Sequence, residues 1–80
     1  MLITYSDHAV SRMMERNISV SDVALILSHP DGKIKQSADK WIFYKHLPNR
    51  KDNLIAAVAL EKKSDSWEIV TVMINFEVKR

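Results

Sequence analysis

The hydrophobic pattern of this chain changes its period once, near Pro30, and this change limits the possible folds more than any other feature. Before Pro30 the apolar residues recur every three to four positions, as on one side of an α-helix. From Lys33 onward they alternate with polar residues, as in β-strands. Because proline cannot continue a helix, the sequence predicts helices up to His29 and strands after Gly32.

The first helix is predicted to run from the N-cap Ser6 to Arg16, with Asn17 ending it in the left-handed conformation. On a helical wheel one arc is apolar and is predicted to be buried. That arc consists of Ala9, Val10, Met13 and Met14. The opposite arc is polar and carries His8, Ser11, Arg12, Glu15 and Arg16.

The second helix is predicted to begin at Ser19, which forms a capping box with Asp22. Spacing of three and four residues then predicts a buried stripe. The stripe consists of Val20, Val23, Ala24 and Leu27.

The remaining chain predicts four strands separated by polar turns. Their predicted ranges are 33–37, 41–47, 53–61 and 67–76. Helices followed by strands indicate an α+β fold, with two N-terminal helices packed on one face of a four-stranded antiparallel sheet. We expect the other face to carry the polar residues of each strand. Strict alternation in the last strand places Val70 and Val72 on one face, and Ile69 on the other.

Length and composition exclude several classes of protein. Eighty residues predict a single domain, residues 1–80, and are too few for a dinucleotide-binding enzyme. There is no cysteine, which excludes disulfide scaffolds and thiol nucleophiles. The longest apolar run, 54–60, is far shorter than the roughly 20 residues of a membrane span, and residues 1–7 do not resemble a signal peptide. We therefore expect a cytoplasmic protein without membrane contact.

Residues 32–51 form a basic block with a net charge of +5. Within it we predict RNA-binding roles for Lys40, Lys45, Arg50 and Lys51, because such a block attracts phosphate backbones. The alternative is a solvated hairpin whose lysines protect a strand edge. The segment 33–37 could also pair with a second copy of the chain as a homodimer.

Two groups of residues are candidates for phosphodiester chemistry. His8, Arg12 and Arg16 share one helix face, where arginine can clamp phosphate and histidine can move a proton. Tyr44 and His46 lie on the second strand and are candidate proton donors or acceptors. If the first helix approaches that strand, these residues form one site. The alternatives are an ordinary polar helix face and half-buried packing residues. The three histidines lack metal-ligand spacing, so we expect neither metal nor cofactor.

The stretch His8 to Ser19, followed by Asp22 and Val23, resembles a family of small prokaryotic proteins of unknown function. Its motif is H-A-x-x-R-M-x-E-R-x-I-S-x-x-D-V, and here Asn17 replaces the usual glycine. The family looks like a relative of the RelE/ParE and BrnT toxins, which have two helices and a twisted antiparallel sheet. Many members of that group are ribonucleases silenced by a cognate antitoxin. The resemblance implies His8, Arg12, Glu15 and Arg16 as motif positions.

Two hypotheses follow from these observations. The first is a toxin-like, metal-independent ribonuclease that acts on RNA and is held by a cognate antitoxin or another protein partner. The second is a non-catalytic binding module of the same fold, such as an inhibitor or regulator carried by a phage or plasmid.

Overall fold

A computed structural model describes residues 1–78 and shows an α+β architecture with two helices and five strands. In chain order the elements are β1 (Leu2–Tyr5), α1 (Asp7–Glu15), α2 (Val20–Ser28), β2 (Gly32–Lys35), β3 (Lys40–Lys45), β4 (Ile55–Lys62) and β5 (Ser66–Met73). The strands form one sheet in the order β1-β5-β4-β3-β2. The pairs are antiparallel except β1 with β5, which is parallel.

Local capping signals define both helices. The Ser6 hydroxyl accepts the Ala9 N–H at 3.0 Å, and Ser19 and Asp22 form the reciprocal capping box at 3.0 Å. At the end of α1, Asn17 has φ 56°, and the Ile18 N–H donates to the Met13 carbonyl at 2.8 Å. This is the hydrogen bond of a Schellman motif, so the predicted left-handed cap at Asn17 is confirmed.

The helices pack on one face of the sheet, where the main core lies. Its helical members include Ala9, Met13, Val23, Ile26 and Leu27. The sheet supplies Phe43, Ile55, Ala57, Ala59, Ile69 and Val72. Ala57 and Ala59 of the central strand are fully buried, and their small side chains let the helices lie close to the backbone. Trp67 packs edge-to-face against Phe43 at 5.1 Å between ring centroids, so it anchors this core.

The prediction of four antiparallel strands was wrong, because the chain begins with a fifth strand. Leu2–Tyr5 pairs with β5, which lies near the other end of the sequence. The Leu2 N–H donates to the backbone carbonyl of Asp65 at 3.1 Å. The Ser6 N–H donates to the Ile69 carbonyl at 2.9 Å. A four-residue strand that depends on a partner more than 60 residues away has little local signal.

The predicted polar face is instead apolar. Ile42, Ala56 and Val58 are buried there under a cover of partly buried side chains. The cover consists of Tyr44, Val70, Met73 and Phe76. It forms because the chain after β5 turns back, and the Phe76 N–H donates to the Leu54 carbonyl at 2.9 Å.

A bulge also breaks the alternation predicted for β5. Ala59 pairs with Ile69 and Val58 pairs with Thr71, which leaves Val70 as an extra residue. Consequently Ile69 and Val72 both face the helices, whereas strict alternation placed them on opposite faces.

Candidate functional site

One flank of α1 carries basic side chains, of which His8 is exposed and both arginines are partly exposed. His8 and Arg12 are separated by one helical turn, and Arg16 follows at the C-cap. Arg12 donates to the Glu15 carboxylate at 3.0 Å, with 40% and 54% of the two side chains exposed. An exposed pair of this kind contributes little to stability. Within residues 1–78 the side chains of His8 and Arg16 make no hydrogen bond or ion pair; His8 is exposed and Arg16 is partly exposed.

Arg50 plays a structural part that the sequence did not predict. Its guanidinium donates to the Asn17 carbonyl at 2.8 Å, to the Arg16 carbonyl at 3.0 Å and to Asp52 at 3.2 Å. Only 16% of its side chain is exposed. A cation at a helix C-terminus satisfies carbonyls that have no partner in the helix and interacts favourably with the helix dipole. Arg50 therefore holds the β3–β4 loop against α1 through contacts within the fold, and its RNA-binding role stays a prediction.

The bond from Arg50 also lowers the pKa of Asp52, because the guanidinium stabilises the charged carboxylate. This ion pair leaves Lys51, which is exposed, as the free basic side chain of the loop segment 50–52. Lys51 is the chain neighbour of Arg50, whose guanidinium contacts the carbonyls at the C-terminal end of α1.

Lys45 and His46 surround Asp31 at the end of β3. The His46 backbone N–H donates to the Asp31 carboxylate at 2.8 Å, and Lys45 Nζ lies 3.6 Å from its other oxygen. These contacts, the backbone hydrogen bond first, lower the pKa of Asp31. Lys45 is only 19% exposed, whereas the side chain of His46 is exposed. Lys45 is therefore engaged within the fold, and His46 faces solvent.

Tyr44 lies on the face of the sheet that is opposite the helices. Its ring contacts Phe76, with 5.7 Å between centroids, and its phenol oxygen lies directly over Gly32 on the neighbouring strand. A Cβ at Gly32 would collide with that ring, so a larger residue here would force the end of the Tyr44 side chain to move. Tyr44 and Phe76 line a cavity of about 540 Å³. Lys40 belongs to the same face by strand alternation.

The residues predicted to form one site are therefore divided. Ser6 ties the N-terminal end of α1 to β5, so His8 lies at the end of the helix away from the β3–β4 loop. Arg50 brings the other end, with Arg16, to that loop. Tyr44 is separated from α1 by the sheet itself. The structure brings Arg50 of the β3–β4 loop to the carbonyl of Arg16, and keeps His8 apart from Tyr44.

The second flank of α1 forms an apolar groove that the sequence did not predict. Val10, Met14 and Val20 were expected to be buried, but they are 44%, 78% and 60% exposed. The groove has a volume of about 280 Å³ and is lined by Tyr5, Val10, Met13, Met14, Ile18, Ser19 and Val20. The sequence did contain a signal for this exposure, which is the width of the apolar arc. Only Ala9 and Met13 of that arc are buried against the sheet, so the rest of the arc is left exposed.

Two further observations concern the described part of the chain. Residues 1–78 contain no cluster of three or more His, Asp or Glu side chains that could hold a metal ion. Neither of the helices at 7–15 and 20–28 has the length and apolar character needed to cross a bilayer.

Comparison with known proteins gives one match. Neither the curated proteins nor the solved structures include a match to this chain. A family model described as a domain of unknown function, DUF4258, matches residues 5–74, which include both helices, strands β2 to β5 and the basic flank of α1. The chain therefore belongs to the DUF4258 family.

Proposed function

We propose that this protein is a toxin-like ribonuclease that cleaves RNA without a metal ion, at a site on the basic flank of α1. The observation that carries this proposal is the grouping of His8, Arg12 and Arg16 on one flank of α1, where His8 is exposed and both arginines are partly exposed. Other predicted cations contribute to the fold, because Arg50 binds helix carbonyls and Lys45 pairs with Asp31. The basic flank contains motif positions of the family of unknown function that the sequence resembles, and that family looks like a relative of the RelE/ParE and BrnT toxins.

The residues of the basic flank suit the steps of phosphodiester cleavage. Arg12 and Arg16 would bind the phosphate and stabilise the charge that develops on it. Arg12 can exchange its weak contact with Glu15 for a phosphate oxygen. His8 would move a proton to or from the reacting oxygen atoms. Lys51 would contact the RNA backbone beyond the scissile bond, and a cognate antitoxin would restrain the activity.

Cleavage of a defined RNA in the presence of EDTA tests this proposal. We expect His8→Ala and Arg12→Ala each to lower the rate by about 10²-fold or more. His46→Ala is the matched control, since it removes an exposed histidine that follows β3 and is not on α1, and its rate should stay within a few-fold of wild type. Full activity of His8→Ala would place the chemistry elsewhere, and a large loss in His46→Ala would restore the single site predicted from sequence.

A second candidate function is a non-catalytic binding module. It is favoured by the separation of the acid–base candidates, since Tyr44 and His8 lie on different sides of the sheet. This reading predicts RNA or protein binding by the wild type without cleavage and without growth arrest on expression. Such a result, with intact salt-dependent RNA binding, would replace the ribonuclease proposal.

A further inference from the structure

The β2 edge of the sheet carries two lysines that lie beside a partly exposed tryptophan. Lys33 and Lys35 are exposed, and their Nζ atoms lie 5.4 and 5.5 Å from the centroid of the Trp41 ring. Lys35 is directly opposite Trp41 on the neighbouring strand, and Lys33 is opposite Phe43. Residues that face each other in this way direct their side chains to the same face of the sheet, which here is the face that carries the helices. We call Lys33, Lys35 and Trp41 the β2 platform.

The positive charge of the β2 platform is not neutralised within residues 1–78, where neither of its lysines forms an ion pair. Asp31, at the start of the hairpin, pairs with Lys45 instead. Asp39 and Glu61 meet beyond Trp41, where the Glu61 N–H donates to the Asp39 carbonyl at 2.6 Å, and neither carboxylate pairs with the platform. An ammonium group over a ring at an exposed site is held only weakly, so each lysine can exchange the ring for an anion.

The fold uses Trp41 less fully than it uses the other tryptophan. Trp67 packs edge-to-face on Phe43 at 5.1 Å between centroids, whereas Trp41 lies 6.5 Å from the same ring in a tilted arrangement. The indole Nε1 of Trp41 is buried and has no hydrogen-bond partner within residues 1–78. A tryptophan that only anchors a core usually satisfies this donor. The opposite side of the matter is that exposed lysines reach over the Trp41 ring, so the ring extends to the surface.

We propose that the β2 platform binds single-stranded RNA, with a base stacked on Trp41 and backbone phosphates on Lys33 and Lys35. Cations beside a surface aromatic ring match the two parts of a nucleotide, whereas an acidic protein would use the charge and leave the ring without a stacking partner. The two lysines are two strand residues apart, about 6.6 Å, so an RNA strand that follows β2 meets both. The choice of RNA rests on the proposed function, and the platform would be a second contact for the RNA that the basic flank of α1 cleaves.

The first test is the salt dependence of binding to 2′-O-methyl oligouridylate, which cannot be cleaved because its 2′-hydroxyl groups are blocked. Fluorescence anisotropy with the Lys33→Ala/Lys35→Ala variant should give a plot of log K against log salt that is flatter by about 1.4, the sum for two phosphates. Lys62→Ala/Lys63→Ala, at the β4–β5 turn, is the charge-matched control and should keep the slope of wild type. An unchanged slope in the platform variant, or an equal change in the control, would overturn the proposal. Thermal melts show that both variants fold.

The second test is quenching of tryptophan fluorescence, which reports stacking and not charge. The chain has two tryptophans, so Trp67→Phe leaves Trp41 as the only emitter, and Trp41→Phe leaves Trp67. Oligouridylate should quench the emission of the Trp67→Phe variant and leave that of the Trp41→Phe variant nearly unchanged. Binding without quenching of Trp41, displaced by oligoglutamate, would overturn the proposal in favour of an acidic protein.

These tests are separate from the test of the ribonuclease. If the wild type cleaves RNA in EDTA but neither the lysine variant nor Trp41 responds to oligouridylate, the β2 platform is refuted and the ribonuclease proposal stands. If Trp41 is quenched and the slope depends on Lys33 and Lys35 while no RNA is cleaved, the platform is supported and the ribonuclease proposal fails.

Discussion

Replacing Arg50 tests most directly whether a cation of the basic block stabilises the fold. Replacing it with alanine removes two hydrogen bonds to helix carbonyls, at 2.8 and 3.0 Å, and one to Asp52. Hydrogen bonds to a charged group contribute roughly 1.5–3 kcal/mol each, although water can solvate carbonyls at this partly exposed site. We therefore expect Arg50→Ala to lower the free energy of unfolding by about 2–3 kcal/mol.

That loss is large for a chain of this size. An 80-residue domain has a total stability of roughly 4–12 kcal/mol, and 1 kcal/mol shifts its melting temperature by about 4–8 °C. Arg50→Ala should therefore melt roughly 10–20 °C below wild type in a calorimetric or circular dichroism scan. Lys51→Ala is the control. Lys51 is the exposed neighbour of Arg50, and its truncation should change the free energy of unfolding by no more than about 0.5 kcal/mol. Equal melting temperatures for the two variants would refute the structural role of Arg50.

Three other predictions test the helix cap, the lowered carboxyl pKa values and the basic flank. Asn17→Val should destabilise the protein by about 1 kcal/mol or more relative to Asn17→Gly, because φ 56° strains a β-branched residue; thermal melts of both variants check this. The stability from Asp31 and Asp52, whose pKa values are lowered, is present above their ordinary value of 3.8 and is lost as the pH falls through the folded-state values. Acid titration of the melting temperature should therefore be shallower in the Asp31→Asn/Asp52→Asn variant, and an identical titration would count against the contacts. Removing Arg12 and Arg16 together should flatten the plot of log K against log salt for single-stranded RNA by about 1.4, or 0.7 per phosphate contact, as measured by fluorescence anisotropy.

The sequence predicted the helices well because their signals are local. Ser6 and Ser19 bond to backbone N–H groups three residues away, and the left-handed conformation of Asn17 follows from its own chemistry. Such signals need no knowledge of the rest of the fold. The ends of α1 and α2 could therefore be predicted to within one residue of their observed positions.

The sheet was predicted less completely because its missing features depend on distant residues. β1 forms by pairing with β5, which is distant in the sequence. The extra residue Val70 can be recognised only from the register between β4 and β5. The apolar character of the second face depends on Phe76 returning across the sheet to Tyr44. Hydrophobic period predicts that these strands exist, but not which of them are neighbours.

In the candidate site too, features set by local sequence could be predicted and features set by distant residues could not. The polar arc of α1 could be predicted, since the residues His8 and Arg12 are neighbours on a helix. The part played by Arg50 could not, because its carbonyl partners are 33 and 34 residues away in the sequence. Nor could the sequence show that Tyr44 and His8 belong to different sides of the sheet. Charge alone did not distinguish a cation that binds a ligand from one that holds the fold together.

The geometry of α1 separates its basic flank from its apolar flank. The helix buries Ala9 and Met13, and the basic flank lies on one side of this buried stripe with Val10 and Met14 on the other. A helix repeats every 3.6 residues, so a partner that covers the apolar flank leaves His8 and Arg12 accessible to RNA. A substitution on one flank should consequently leave the other intact. Met14→Lys should leave the rate of RNA cleavage within a few-fold of wild type, whereas His8→Ala should lower it by about 10²-fold or more. An equal loss of cleavage in the two variants would show that the two flanks do not act separately.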